Sequence, residues 1–178
     1  ACASAIRSST CARTTSSSLN VQEVLSSVLA TVSDTMEMAA GAIFLPNDER
    51  THLYIAADSG LNDDDRDRQH MADGEGIAAR ALIATQPLLI SDTLAETAPD
   101  ELPILGMRSL LLAPMIARSV PEGLLAVGSR RANAYTAEDA DLLSAVASQA
   151  AVALENAWLY EDATRREQEA AAIYEMSQ

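Results

Sequence analysis

Thr136-Ala-Glu-Asp-Ala-Asp-Leu-Leu143 opens a C-terminal stretch, residues 136–178, that decides how this chain is organised. Thr136 stands where a helix N-cap is expected, and Asp139 follows three residues later, where the helix dipole favours a carboxylate. No Pro or Gly interrupts the residues that follow. At roughly 1.5 Å per residue the stretch predicts one helix of about 64 Å, longer than a domain of this size needs to cover its core.

Small and apolar residues recur along this predicted helix at alternating steps of three and four, which is the spacing of a coiled-coil seam. We therefore predict that the helix leaves its domain and pairs with a second copy, so that the chain is a homodimer through its terminal helices. An ordinary terminal helix with a frayed end is the alternative. The predicted seam consists of Leu143, Val146, Ala150, Ala153, Ala157 and Tyr160.

Length and composition restrict the class of protein. A chain of 178 residues with 48% apolar content fits one globular domain plus a tail. Its 26 acidic and 12 basic residues give a formal charge of −14, whereas nucleic acids and anionic membrane surfaces require a basic face. We predict no nucleic-acid partner and no membrane contact by this segment. Because the chain has no Lys, Schiff-base chemistry is excluded.

The cysteine content argues against metal and disulfide scaffolds. Cys2 and Cys11 are the only cysteines, and both lie in the Ser/Thr-rich beginning of the chain without zinc-ligand spacing. No apolar run approaches 18 residues, which predicts a cytoplasmic location. The chain starts at Ala and stops within a predicted helix, so we expect a segment of a longer protein whose output domain is unknown.

The remaining chain alternates helical and strand patterns. The fold class predicted is α+β, with a mostly antiparallel sheet of five or six strands, the N- and C-terminal helices on one face, and short helices and loops over a pocket on the other. Pro87 indicates that its strand lies at an edge. The predicted helices span 21–38 and 77–85, and the predicted strands span 41–46, 51–57, 87–90, 108–116 and 123–129, the last two joined by residues 117–122.

Six blocks of the chain resemble, in order, those of a GAF domain, a fold similar to PAS domains. They are Leu19-Asn-Val-Gln-Glu-Val-Leu25, Gly74-Glu-Gly-Ile-Ala-Ala-Arg80, Gln86-Pro-Leu-Leu-Ile-Ser-Asp92, Gly106-Met-Arg-Ser-Leu-Leu-Leu-Ala-Pro-Met115, Ala134-Tyr-Thr-Ala-Glu-Asp-Ala-Asp-Leu-Leu143 and Ala147-Ser-Gln-Ala-Ala-Val-Ala-Leu-Glu-Asn156. The resemblance divides the chain into a linker or upstream helix end (1–18), a GAF domain (19–160) and an outgoing coiled-coil helix (161–178).

The resemblance implies a sensory or regulatory module of a signalling protein, such as a sensor histidine kinase, with a ligand pocket between the sheet and residues 61–107. Bilin-binding relatives and the family's free methionine sulfoxide reductases use pocket cysteines, which this chain lacks after Cys11. The complete cyclic-nucleotide signature requires Lys. Haem-binding relatives place a His before the position of Arg108, and none stands there. The cofactor is therefore unknown, with covalent bilin and haem disfavoured.

Five polar residues are candidates for ligand binding: His70, Glu75, Asp92, Arg108 and Ser109. Arg108 is favoured, because a guanidinium offers a fixed fork to a carboxylate or phosphate. Each also has a structural interpretation, as a cap, a strand start or a carboxylate at a helix N-terminus. Three functions remain open: a ligand-binding sensor that signals through its dimeric helix, a ligand-free dimerisation spacer and, least supported, an enzyme, since the sequence contains no catalytic constellation.

Overall fold

The computed structural model describes residues 19–64, 76–95 and 107–176. Within them, regular structure occupies α1 (Leu19–Thr35), β1 (Ala40–Pro46), β2 (Leu53–Ser59), α2 (Ile77–Ala84), β3 (Leu88–Ile90), β4 (Ser109–Ala117), β5 (Val120–Ser129) and α3 (Ala137–Met176). The first helix thus begins two residues before its predicted start at Val21. It ends at Thr35 rather than near Met38, although the Met36 N–H still donates to the Val32 carbonyl at 2.8 Å.

The strands form one five-stranded sheet in the order β2-β1-β5-β4-β3. Every neighbouring pair is antiparallel. β3 lies at one edge, as Pro87 predicted, and β1 and β2 form an antiparallel hairpin. The α+β fold class is therefore confirmed.

The connection between β4 and β5 differs from the prediction. Pairing continues to Ala117 opposite Val120, so two residues rather than six form the turn. Arg118 and Ser119 both have positive φ, 49° and 66°, which is the geometry that suits the twist of a two-residue hairpin. β5 contains Pro121, a residue that cannot donate a ladder hydrogen bond. The structure tolerates it because it lies beyond the last β1–β5 pair, where β5 borders β4 alone.

One face of the sheet is covered by α1 and α3, which pack side by side. α3 lies mainly over β4, and α1 lies over β1 and β2. The apolar cluster between these layers confirms the predicted placement of both terminal helices. Its large, fully buried members include Leu25, Leu29, Ile43, Leu111, Leu143 and Leu154.

The start of α3 is held by a reciprocal cap. The backbone N–H of Thr136 donates to Oδ2 of Asp139 at 2.7 Å, and the N–H of Asp139 donates back to Oγ1 of Thr136 at 3.3 Å. Two otherwise unpaired backbone donors at the helix N-terminus are thereby satisfied. This confirms Thr136 as the N-cap.

The predicted seam of α3 is wrong in half of its members. Leu143, Ala150 and Ala157 are at most 9% exposed and belong to the apolar cluster beneath the helix. They pack against their own domain and cannot contact a second chain. The three- and four-residue spacing identified an apolar stripe correctly, but that stripe faces the core in this part of the helix. Val146 packs partly against the same cluster, whereas Tyr160 is exposed.

Tyr135, just before α3, predicts a pH dependence of stability. Burial, with smaller contributions from the charges of Asp139 and Glu37, raises the pKa of Tyr135 from 10.0 to about 12. Above pH 10 the unfolded chain loses this proton while the folded chain keeps it, so stability present below pH 10 is lost as pH rises toward 12.

The Tyr135→Phe variant should lack this loss. Between about pH 9.5 and 11.5 the wild type should lose about 1 kcal/mol more stability than the variant, a value reduced for solvent screening. Urea unfolding followed by the emission of Trp158, the single tryptophan, would measure it. If the free energy of unfolding falls equally with pH in the two proteins, burial does not raise the pKa of the Tyr135 hydroxyl.

Candidate functional site

One row of five side chains crosses the sheet on the face away from α1 and α3. Directly opposed residues of antiparallel strands point to the same face, and the pairing from β2 to β3 aligns Asp58, Ala42, Ala126, Leu112 and Leu88. The two inner positions next to the carboxylate are alanines. Because alanine side chains are short, the centre of this face is low compared with the leucine positions. The carboxylate of Asp58 lies at one end of the row.

Buried apolar side chains surround this row. α2 lies over β4 and β5 and buries Ile77, Ala78 and Ala81 against them. The row and its apolar surroundings are called the α2 face below. Residues 65–75 and 96–106, to which the sequence analysis also assigned the pocket, lie outside the described residues. The other buried members of the cluster are Ala40, Phe44, Ile55, Leu61, Ile90, Leu110 and Leu124.

Asp58 is a candidate that the sequence analysis missed. Its exposed fraction is 0%. The predicted strand ended at Ala57, but β2 continues to Ser59, and the pairing of Asp58 with Ala42 turns the carboxyl group onto the α2 face. An acidic residue that directly continues an apolar strand was the available signal, because carboxylates are rarely buried unless they are paired. Asp58 already has an interaction partner within the protein, so a cation or a hydrogen-bond donor would have to take the place of that partner.

Two predicted ligand-binding residues, Asp92 and Arg108, bind each other. Nε of Arg108 donates to Oδ1 of Asp92 at 3.0 Å, and Nη2 donates to Oδ2 at 2.6 Å. The hydrogen bonds from Arg108 and from the backbone N–H of Leu94 hold the pKa of Asp92 below its ordinary value. The guanidinium fork is thus occupied within the protein, and an anionic ligand would have to displace Asp92 to use it.

The segment around Asp92 is tied to the start of β4 by further hydrogen bonds. The Thr93 N–H donates to the Arg108 carbonyl at 2.8 Å, and the Thr93 hydroxyl donates to the Met107 carbonyl at 2.8 Å. Together with the ion pair, these contacts fix the geometry of the chain after β3. They favour a structural role for Asp92 and Arg108.

Ser109 does not reach the α2 face. Along β4 it alternates with Leu110 and shares its side of the sheet with Leu111, which belongs to the cluster under α1 and α3. Its hydroxyl donates to the Arg131 carbonyl at 2.9 Å, and the side chain is fully buried. The prediction of Ser109 as a ligand contact is therefore wrong, because strand alternation turns it to the opposite face.

His70 and Glu75, the other two predicted ligand residues, lie outside the described residues. In the described part of the chain, no group of three or more His, Cys, Asp or Glu side chains is arranged to hold a metal ion. Of the helices described here, none is both long and apolar enough to cross a membrane.

Comparisons with known proteins agree with this architecture. The chain is similar to the GAF domain from a phosphoenolpyruvate-protein phosphotransferase of Coxiella burnetii, with a TM-score of 0.70 and 19% identity over 82% of this chain and 89% of that chain. It is also similar to a domain of a putative two-component sensor histidine kinase protein from Sinorhizobium meliloti, with a TM-score of 0.67 and 16% identity over 84% of this chain and 99% of that chain.

An enzyme shares the same fold. The type II free methionine-R-sulfoxide reductase from Thermoplasma acidophilum has a TM-score of 0.64 and 17% identity over 78% of this chain and 96% of that chain. Identities this low establish the fold and leave the function open. No curated protein matches the chain. The sequence profile described as GAF domain matches residues 18–155, from the beginning of α1 into α3, and the chain belongs to the GAF domain family.

Proposed function

We propose that this chain is the sensory or regulatory domain of a cytoplasmic signal-transduction protein. It binds a small ligand on the α2 face and passes the resulting change to α3, which acts as part of a dimer. The similarity to domains of a sensor histidine kinase and a phosphotransferase supports a regulatory role. Among the described residues, no group of three or more His, Cys, Asp or Glu side chains could hold a metal ion, so nothing there favours a metal-dependent enzyme.

The observation that carries this proposal is the position of β4 between the two helices. α2 contacts β4 on one face of the sheet, and α3 contacts it on the other. Leu110 and Leu112 belong to the cluster on the α2 face, while Leu111 belongs to the cluster beneath α3. Because interiors are close-packed, a shift of β4 on one face must be met by repacking on the other.

The chemistry of the α2 face favours a ligand with an apolar body and a donor or cationic group. The apolar body would lie on Ala42 and Ala126, the low centre of the face. The donor or cation would meet the buried carboxyl group of Asp58, in exchange for the interaction that Asp58 already makes within the protein. Arg108 is not assigned to the ligand, since Asp92 occupies its fork.

Such a ligand can signal only if it binds two arrangements of the sheet and α3 with different affinity. A tenfold preference shifts their equilibrium tenfold, or by about 1.4 kcal/mol. The β4–α3 contact is then the coupled element. Ligand binding should change how α3 lies on the sheet and hence how it meets a second copy.

A thermal-shift screen with small organic cations, amides and alcohols would test ligand binding. A ligand present at about 100 times its Kd adds roughly 2.7 kcal/mol of stability, which raises the Tm by about 5–10 °C in a domain of this size. The Asp58→Asn variant should lose most of the shift produced by a cation. The Ala126→Leu variant, which fills the low centre of the α2 face, should lose the shift as well.

Asp48→Asn is the matched control, since it removes the same charge at an exposed position between β1 and β2. Its ligand response should equal that of the wild type. Equal shifts in the wild type and both α2-face variants would show that the ligand binds elsewhere. Cooperative unfolding of each variant without ligand is measured first, so that a lost shift is not confused with a lost fold.

A ligand-free dimerisation spacer is the second candidate. It is favoured by how completely the α2 face is already buried: Phe44, Leu112 and Leu124 are 0% exposed without any ligand. If the domain is a spacer, no small molecule in the screen should shift the Tm, and the domain would act only through the pairing of its helices. The same screen therefore decides between the two functions.

A further inference from the structure

A row of exposed side chains runs along α3 on the side opposite its core contacts. Its members recur at strict steps of three and four, and every one of them is exposed. Leu142, Val152, Leu159 and Ile173 are the large apolar members, with exposed fractions of 37%, 50%, 56% and 65%. We call this row the outer seam; it consists of Leu142, Ala145, Gln149, Val152, Asn156, Leu159, Ala163, Arg166, Ala170 and Ile173.

Within the part of the chain that the structure describes, the far half of α3 has few residues to pack against. Among the described residues, the cluster that α3 joins extends along the helix no further than Trp158. Beyond it, Leu159–Met176 forms about 27 Å of helix. Helices in proteins gain most of their stability from tertiary packing of an apolar face, and this part of the helix exposes Leu159 and Ile173. A partner along the outer seam would stabilise it.

We propose that the outer seam is closed by the same seam of a second copy of this chain, as a parallel two-stranded coiled coil. The inference rests on the dimeric relay proposed above and specifies its interface. In heptad terms Leu142, Gln149, Asn156, Ala163 and Ala170 occupy a positions. Ala145, Val152, Leu159, Arg166 and Ile173 occupy d positions. In a parallel pair each a residue faces the a residue of the other helix, and each d residue faces the d residue. Two identical helices can therefore use the same seam.

Asn156 favours the parallel arrangement. A single Asn at an a position sets register in parallel coiled coils, because its amide both donates to and accepts from the same residue of the other helix. In an antiparallel pair that used the full seam, Asn156 would lie against Leu159. Its amide would then be buried without a partner, at a cost of about 1–3 kcal/mol.

The charge pattern also fits a second copy. Arg166 at a d position is followed by Glu167 at an e position, and d residues of a parallel pair lie beside e residues of the opposite helix. Arg166 of each copy can thus reach Glu167 of the other. Within its own helix Arg166 already pairs with Asp162 at 2.7 Å, and its five N–H donors allow both contacts.

The area is near what a specific dimer needs. From Leu142 to Ile173 the seam is about 47 Å long, and a helix is about 10–12 Å wide with its side chains, which gives about 500 Å² per copy. The total of about 1,000 Å² lies at the lower limit of biological interfaces. The interface should therefore be weak enough to dissociate on dilution, and changes in the packing of α3 can alter it.

Disulfide trapping would test the seam and its direction without any ligand. In a background with Cys2→Ser and Cys11→Ser, the single variants Val152→Cys and Ile173→Cys should form homotypic disulfides under mild oxidation. Gln168→Cys, exposed but on the opposite side of the far half of α3, is the control and should crosslink at least tenfold more slowly. Crosslinking of Val152→Cys to Ala163→Cys, without homotypic products, would overturn the parallel arrangement.

Sedimentation gives an independent readout. The wild type should be dimeric at about 100 μM, and Val152→Glu should raise the dimer dissociation constant at least 100-fold with unchanged far-UV circular dichroism. Gln168→Glu adds the same charge outside the seam and should leave the constant within about twofold. A monomeric wild type, or equal effects of the two variants, would overturn the seam. Neither of these experiments involves a ligand. The outer seam can therefore be confirmed even if no ligand shifts the Tm, and it can be disproved even if a ligand does.

Discussion

Leu154→Ala is expected to lower the free energy of unfolding by about 3 kcal/mol. Leu154 is 0% exposed and lies under α3, in the cluster shared with α1 and the sheet. Removing a buried leucine side chain loses its transfer free energy and leaves a cavity, and such changes cost about 2–5 kcal/mol. Denaturant unfolding followed by Trp158 emission would measure the effect. Trp158 packs against the same cluster and therefore reports on it.

The control for this prediction is Ile83→Ala. Ile83 is 79% exposed on α2 and lies outside both the core and the outer seam, so its truncation should change stability by less than about 0.5 kcal/mol. A cost for Leu154→Ala below about 1 kcal/mol would mean that α3 does not pack through this face. The assignment of the core side of α3, and with it the outer seam, would then be wrong.

Gly60→Ala is expected to destabilise the domain by about 3 kcal/mol as well, for a different reason. Gly60 follows β2 with φ +80°, in the left-handed region that side chains rarely adopt. A Cβ atom there would lie 2.4 Å from the carbonyl oxygen of Ala39, at the entry to β1. Both the strain and the clash involve backbone, which cannot rotate away, so the β1–β2 edge must shift.

Gly41→Ala provides the matched control in the neighbouring strand. Its Cβ would meet the Met38 side chain, 3.0 Å from Sδ and 3.3 Å from Cε, with no positive φ. A methionine end is flexible and can move, so the cost should stay below about 1 kcal/mol. Thermal unfolding of the two variants in parallel would measure the difference. Equal Tm values would contradict the close approach of Gly60 to Ala39.

Elements with strong local signals could be predicted from the sequence. The N-cap of α3 was readable because Thr136 and Asp139 interact within one helical turn. The edge position of β3 followed from Pro87, which cannot donate a ladder hydrogen bond. The β4–β5 turn was not readable, because the positive φ angles of Arg118 and Ser119 are imposed by strand pairing on residues that do not favour them.

The candidate site was predicted less well than the fold. Arg108 and Asp92 were both selected as ligand contacts, yet sixteen positions apart in the chain they meet as an ion pair. Ser109 was assigned to the wrong face, since one residue of strand register reverses a side chain. Asp58 was overlooked because the predicted strand ended at Ala57, and because its burial depends on pairing with β1, which lies outside its immediate neighbourhood in the sequence.

The sequence by itself determined the α+β class, the succession of helices and strands and the length of α3, because periodicity and capping act between residues a few positions apart. Only the tertiary structure decided which side of α3 faces the sheet. Two stripes of the helix share the same three- and four-residue spacing, one through Leu143 and one through Leu142. Contact with the sheet and α1 buries the first, and this packing, which joins distant parts of the chain, leaves the second free for a partner.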